Sequence, residues 1–137
     1  MIFVVYLLSF IAISIIDALW HIVLFGRQYT EWFLPIARMT NGKMDLQLIP
    51  GVLSQLLLVA ATMFLVLYKT GGNPKLGTGA LIGAACGILA ISVYGLVNFA
   101  LVNHWGLEIT ILEVLWGPII GALGGVTIAY VSGKLLS

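Results

Sequence analysis

Polar residues are sparse along this chain, and they divide it into four long apolar runs, at 2–25, 48–68, 77–102 and 109–132. Each reaches the roughly 20 residues a helix needs to cross a hydrocarbon core. The regular polar–apolar alternation of barrel strands is absent. Backbone groups in lipid must be satisfied within their own segment, which leaves helices. The pattern predicts an all-α membrane protein. Residues 1–137 would form one transmembrane domain, a four-helix bundle with an interfacial connection between its first and second helices.

The first run is read as a retained span and not as a signal peptide. It has no basic leading region, it is too long for a signal's apolar stretch, and Asp17 interrupts it. Four spans put both termini on one side, here called side A. The connections 26–47 and 103–108 then lie on the opposite side B. In the longer one, Tyr29-Thr30-Glu31-Trp32-Phe33-Leu34-Pro35 mixes aromatic and charged residues, as segments lying among headgroups do. Asn41-Gly42 marks a turn, and Pro50 suits the first turn of the second helix. Side A carries Lys69, Lys75 and Lys134 on short segments, whereas Arg27, Arg38 and Lys43 are spread over the longer connection. The denser positive charge predicts that the termini are cytoplasmic. A bacterial inner membrane is the expected location.

Composition narrows the function classes. Of 137 residues, 61% are hydrophobic and 8% charged, against about a quarter charged in a soluble chain. A net charge of +1 leaves no acidic or basic tail, so nucleic acid is not an expected partner. The lone cysteine, Cys86, sits in an apolar run and reads as a packing residue. No phosphate-cradling loop, nucleophile elbow or paired Cys-x-x-Cys is present in the sequence. No cofactor is implied, and enzyme chemistry is not the favoured reading.

The clearest pattern lies in the third and fourth helices. Gly79, Gly83 and Gly87 recur every four residues, and so do Gly117, Gly121 and Gly125. Small residues at this spacing let two helix backbones approach closely. A short turn joins these helices, so their stripes should meet as antiparallel neighbours nearer side A. Toward side B the same faces become polar. Helical spacing continues from Gly87 to Tyr94 and Asn98, and back from Gly117 to Glu113. Pro118 leaves the carbonyl of Val114 without its helix partner.

The first helix offers Ser14, Asp17 and His21 along one face, and Gln55 reaches a comparable level on the second. At about 1.5 Å per residue, Asp17 lies ~12 Å inside the side B end, with His21, Asn98 and Glu113 shallower. A charge facing lipid near the bilayer centre costs at least ~2.5 kcal/mol, so Asp17 should face the bundle interior or a wet cavity. Glu113 is expected to reach headgroup water more easily. Trp20 and Trp116 flank the acids, either as cavity walls or as interface anchors. Asp17, Trp20, Tyr94, Asn98, Glu113 and Trp116 are thus the candidate residues for ligand binding or proton coupling. Asp17, His21 and Glu113 offer at most three donors without a second histidine, so no metal is assigned.

The polar positions also carry a resemblance. Asp17-Ala18-Leu19-Trp20, Arg27-Gln28-Tyr29 and Pro35 are followed by Tyr94-Gly95-Leu96-Val97-Asn98, Trp105, Thr110 and Glu113-x-x-Trp116-Gly117. In this order they resemble an uncharacterised family of small bacterial four-span membrane proteins, known as a domain of unknown function. The chain departs at Gly95 and Val97, where the family tends to an acid and a threonine. It also departs at His21, where an apolar residue is usual. The resemblance implies the fold and no activity, and a family-wide role of the cluster would not require His21.

Three functional readings remain at this level. The first is an intramembrane polar cavity that binds or passes a small solute or lipid headgroup. The second is an accessory subunit of a larger membrane complex or a homo-oligomer, and the third a membrane enzyme acting on a lipid. Polar groups turned inward favour the first.

Overall fold

In the computed structural model, which describes residues 1–45 and 47–136, four helices are long and apolar enough to cross a membrane. They are α1 (Ile2–Leu24), α3 (Leu48–Thr70), α4 (Leu76–Leu101) and α5 (Leu107–Leu135). A short helix, α2 (Gly26–Phe33), and a small hairpin of β1 (Met39–Thr40) and β2 (Lys43–Met44) fill the connection between α1 and α3. Leu46 of that connection and the terminal Ser137 lie outside the described residues. The protein is an integral membrane protein, a four-helix bundle with an interfacial connection.

Local chemistry sets the turns. Asn41 and Gly42 both adopt positive φ, 52° and 73°, the backbone that a two-residue hairpin requires. Gly71 ends α3 in the left-handed region, where a glycine carries no Cβ penalty.

The bundle is built on α5, the most buried of the four spans. Ile120 and Ile128 of α5 join Ile13 of α1 and Val59 and Val66 of α3 in the apolar core, with Trp116 at one end. Large apolar side chains such as Leu57, Phe64, Leu81, Leu89 and Leu115 point outward, as a lipid-facing surface requires.

Helices α4 and α5 pack through their glycines. A methyl group on Gly79 would meet the carbonyl of Gly125, one on Gly83 that of Gly121, and one on Gly87 that of Gly117. The two backbones are in direct contact, the approach that small residues four apart permit.

Two stretches depart from α-helical winding. Leu19–Leu24 in α1 and Ile88–Ser92 in α4 are π-helical, with the wider i→i+5 turn. In α4 this turn changes which residues face α5. Before it the facing residues are Gly79, Gly83 and Gly87; after it they are Ser92 and Gly95. The expectation that Tyr94 and Asn98 continue the glycine face is therefore corrected. Tyr94 is 54% exposed, and Asn98 turns back to donate its Nδ2 to the carbonyl of Tyr94 at 3.0 Å.

Candidate functional site

The polar groups of α1 and α5 meet in the side B half of the bundle. Four residues apart on α1, Asp17 and His21 project together, with His21 Nδ1 3.3 Å from Asp17 Oδ1. The same Nδ1 lies 3.0 Å from the backbone carbonyl of Asp17. A carbonyl only accepts, so Nδ1 carries a proton, and Nε2 faces α5. There it stands 3.9 Å from Oε1 of Glu113. A carboxylate, an imidazole and a second carboxylate thus lie in sequence across two helices.

Aromatic residues hold this row in place. Trp116 Nε1 donates to Asp17 Oδ1 at 2.8 Å, a bond strengthened by the charge of its acceptor. Its ring is stacked on that of Trp20, with centroids 4.2 Å apart and planes within 7°. Trp116 is buried and Trp20 half-buried, so the stacked pair forms an inner wall beside Asp17. Trp20 Nε1 in turn donates to the hydroxyl of Tyr29 at 3.4 Å.

Tyr29 arrives from outside the membrane spans. Helix α2 is amphipathic, with Arg27 and Glu31 paired on its outer face at 2.9 Å and Tyr29 buried on its inner face. From there the hydroxyl of Tyr29 donates to Glu113 Oε1 at 3.1 Å. Burial, and then the neighbouring charge of Glu113, hold this hydroxyl protonated well above its ordinary pKa. Tyr29 also stacks on Phe33, which meets Trp105 edge-on, and Trp105 meets Tyr94 in the same way. An aromatic rim therefore runs from α2 through the α4–α5 turn to α4.

The two acids exchange the burial expected of them. The side chain of Glu113 is only 10% exposed, whereas that of Asp17 is 33% exposed. Depth along the helix placed Asp17 further in, but α5 is the central helix, and that decides solvent access.

Asp17 and Glu113 line one cavity of about 550 Å³. Its other polar lining includes His21, Ser54, Gln55 and Tyr94, and Trp116 closes one wall. An adjoining cavity between α1 and α3 shares Asp17, His21 and Gln55 with it and adds Ser14. On the far side of His21, a third space of about 630 Å³ opens beneath α2 and the hairpin, lined by Tyr29, Arg38 and Asp45. Of the candidate residues, Asp17, Tyr94, Glu113 and Trp116 share the first cavity and Trp20 stands behind Trp116, while Asn98 lies apart from it.

Such an arrangement can bind positive charge or relay a proton, because an imidazole lies between two acids with one near each ring nitrogen. It is a weak metal site. Among the described residues no group of three His, Cys, Asp or Glu side chains is placed to hold a metal ion.

Reading by spacing alone did not reach Tyr29, Trp105 or Ser92. Tyr29 appeared as part of the interfacial connection and within the resemblance, and Trp105 only within the resemblance. The available signal for Tyr29 was the amphipathic pattern of α2, which turns one tyrosine inward. Ser92 had no sequence signal, because its position depends on the π-helical turn.

Neither the curated proteins nor the solved structures contain a match to this chain. A family model does match, over residues 2–130. The residues that carry the resemblance around the cluster (Asp17, Trp20, Tyr29, Trp105, Glu113 and Trp116) all fall within that stretch. The chain belongs to the family described as predicted membrane protein (DUF2177).

Proposed function

We propose that this protein binds a small solute or a lipid headgroup in the cavity between α1, α3, α4 and α5, at Asp17 and Glu113. The observation that carries this reading is the shared cavity: two acids from different helices line one space, joined by His21. A purely structural tie between α1 and α5 would need one acid and one donor, as Trp116 and Asp17 already provide. Glu113 adds a second carboxylate within the bilayer span, where an ionisable group is expensive and marks a functional position.

Several features support binding over a role as a packing subunit. The acids turn inward, the outer faces are apolar, and the cavity volume falls in the range of small-molecule sites, about 300–1,000 Å³. The π-helical turns in α1 and α4 lie beside the cluster, and such turns recur at functional sites. The whole chain acts in this reading as one transmembrane domain of the bacterial inner membrane, with cytoplasmic termini and the cavity toward the outer side.

Native mass spectrometry of the protein released from native-membrane nanodiscs tests the reading. The wild type should retain a bound non-protein mass that Asp17→Asn/Glu113→Gln releases. Identical spectra for a folded double variant and the wild type would overturn it.

A further inference from the structure

We infer that the ligand group seated between Asp17 and Glu113 is an organic ammonium, an inference that rests on the binding reading above. The cavity has a one-sided charge. Asp17 and Glu113 line it, and neither lysine nor arginine does. Among the described lining residues the one cationic partner is a protonated His21, one charge against two.

Both acids also have an oxygen to spare. Trp116 and His21 approach Oδ1 of Asp17, and Tyr29 and His21 approach Oε1 of Glu113. Among the described residues, Oδ2 of Asp17 and Oε2 of Glu113 accept no hydrogen bond. Neither oxygen is among the fully buried unpaired atoms, so each is open to a ligand in the cavity that both acids line. An ammonium group carries the charge and the several N–H donors that two such oxygens lack.

The walls fit the same group. Trp116 and Tyr94 line the cavity, and aromatic rings attract cations. Gln55 provides a complementary signal, because its buried Nε2 has no acceptor and it belongs to the same wall. A ligand with an oxygen near its ammonium group would satisfy that donor too. Amino alcohols have this chemistry, both as free solutes and as the headgroup of an ethanolamine lipid.

The test titrates purified protein with ethanolamine, ethylene glycol and glycolate, three probes of similar size that are cationic, neutral and anionic. Tryptophan emission, to which Trp20 and Trp116 contribute together with Trp32 and Trp105, reports binding. Ethanolamine should bind saturably, at least about tenfold tighter than ethylene glycol, with glycolate weakest. Asp17→Asn and Glu113→Gln should each weaken ethanolamine about tenfold and leave ethylene glycol unchanged. The wild-type comparison decides the question by itself if a variant does not fold. Nanodiscs of phosphatidylethanolamine or phosphatidylglycerol form the second arm. A response confined to phosphatidylethanolamine assigns the ammonium to a lipid, and a response to free ethanolamine assigns it to a solute; either supports the inference. Ethylene glycol or glycolate binding as tightly as ethanolamine would overturn the ammonium assignment and leave the binding reading standing. No response to any probe or lipid would overturn the ammonium assignment, and the native mass spectra described above would then decide the binding reading.

Discussion

The hydroxyl of Ser92 donates to the carbonyl of Val114 across 3.0 Å. Val114 is the residue whose helical partner is missing, because Pro118 has no N–H to offer four residues on. Helix α4 therefore repairs the gap that proline opens in α5. The π-helical turn Ile88–Ser92 is what brings the serine onto that face.

Ser92→Ala should leave the Val114 carbonyl unpaired and cost about 1–3 kcal/mol, measured by unfolding in detergent. The loss should shrink in a Pro118→Ala background, where the helix regains its own N–H. Equal losses in both backgrounds would show that Ser92 does not serve the Val114 carbonyl.

The glycine seam makes a sharper demand. Gly83→Ala should destabilise the protein by about 1–3 kcal/mol, because the new methyl meets the Gly121 carbonyl. Gly77 is a control in the same helix, with nothing near its missing Cβ. Gly77→Ala should leave stability unchanged or raise it slightly. Similar melting temperatures for both variants would remove the seam from this account.

Tyr29→Phe deletes the hydroxyl that donates to Glu113 and accepts from Trp20. A hydrogen bond to a charged group contributes about 1.5–3 kcal/mol, and a loss of that order is expected on thermal unfolding. Thr30→Ala, one residue away on the exposed face, removes only a bond to the carbonyl of Gly26 and should cost far less. Comparable losses would mean that α2 is not tied to the acid cluster.

The legible part of this protein was its axial pattern. Lengths of apolar runs gave the four spans, and repeats of glycine gave contacts that the structure contains at Gly79–Gly125, Gly83–Gly121 and Gly87–Gly117. Those features depend on spacing along a helix, which sequence records directly. Rotation about the helix axis was harder. A single wide turn at Ile88–Ser92 moved Tyr94 and Asn98 off the seam and put Ser92 and Gly95 on it. No residue type marks such a turn. Burial of Glu113 was misjudged for a related reason: depth was counted along one helix, whereas exposure depends on how many helices surround it. Tyr29 reaches Glu113 only because α2 folds back under the bundle, a tertiary fact that neither helix encodes alone.

Water access to the acid cavity tests the central claim most directly. Ser54 lines the cavity that holds Asp17 and Glu113, while Leu57, three residues on in α3, is 70% exposed on the apolar outer surface. In a Cys86→Ala background, Ser54→Cys and Leu57→Cys would be treated in lipid vesicles with a charged, membrane-impermeant thiol reagent. The account predicts modification at residue 54 at least about tenfold faster than at residue 57, since thiolate chemistry requires water. Equal rates at the two positions, or no reaction at residue 54 from either face of the membrane, would contradict it.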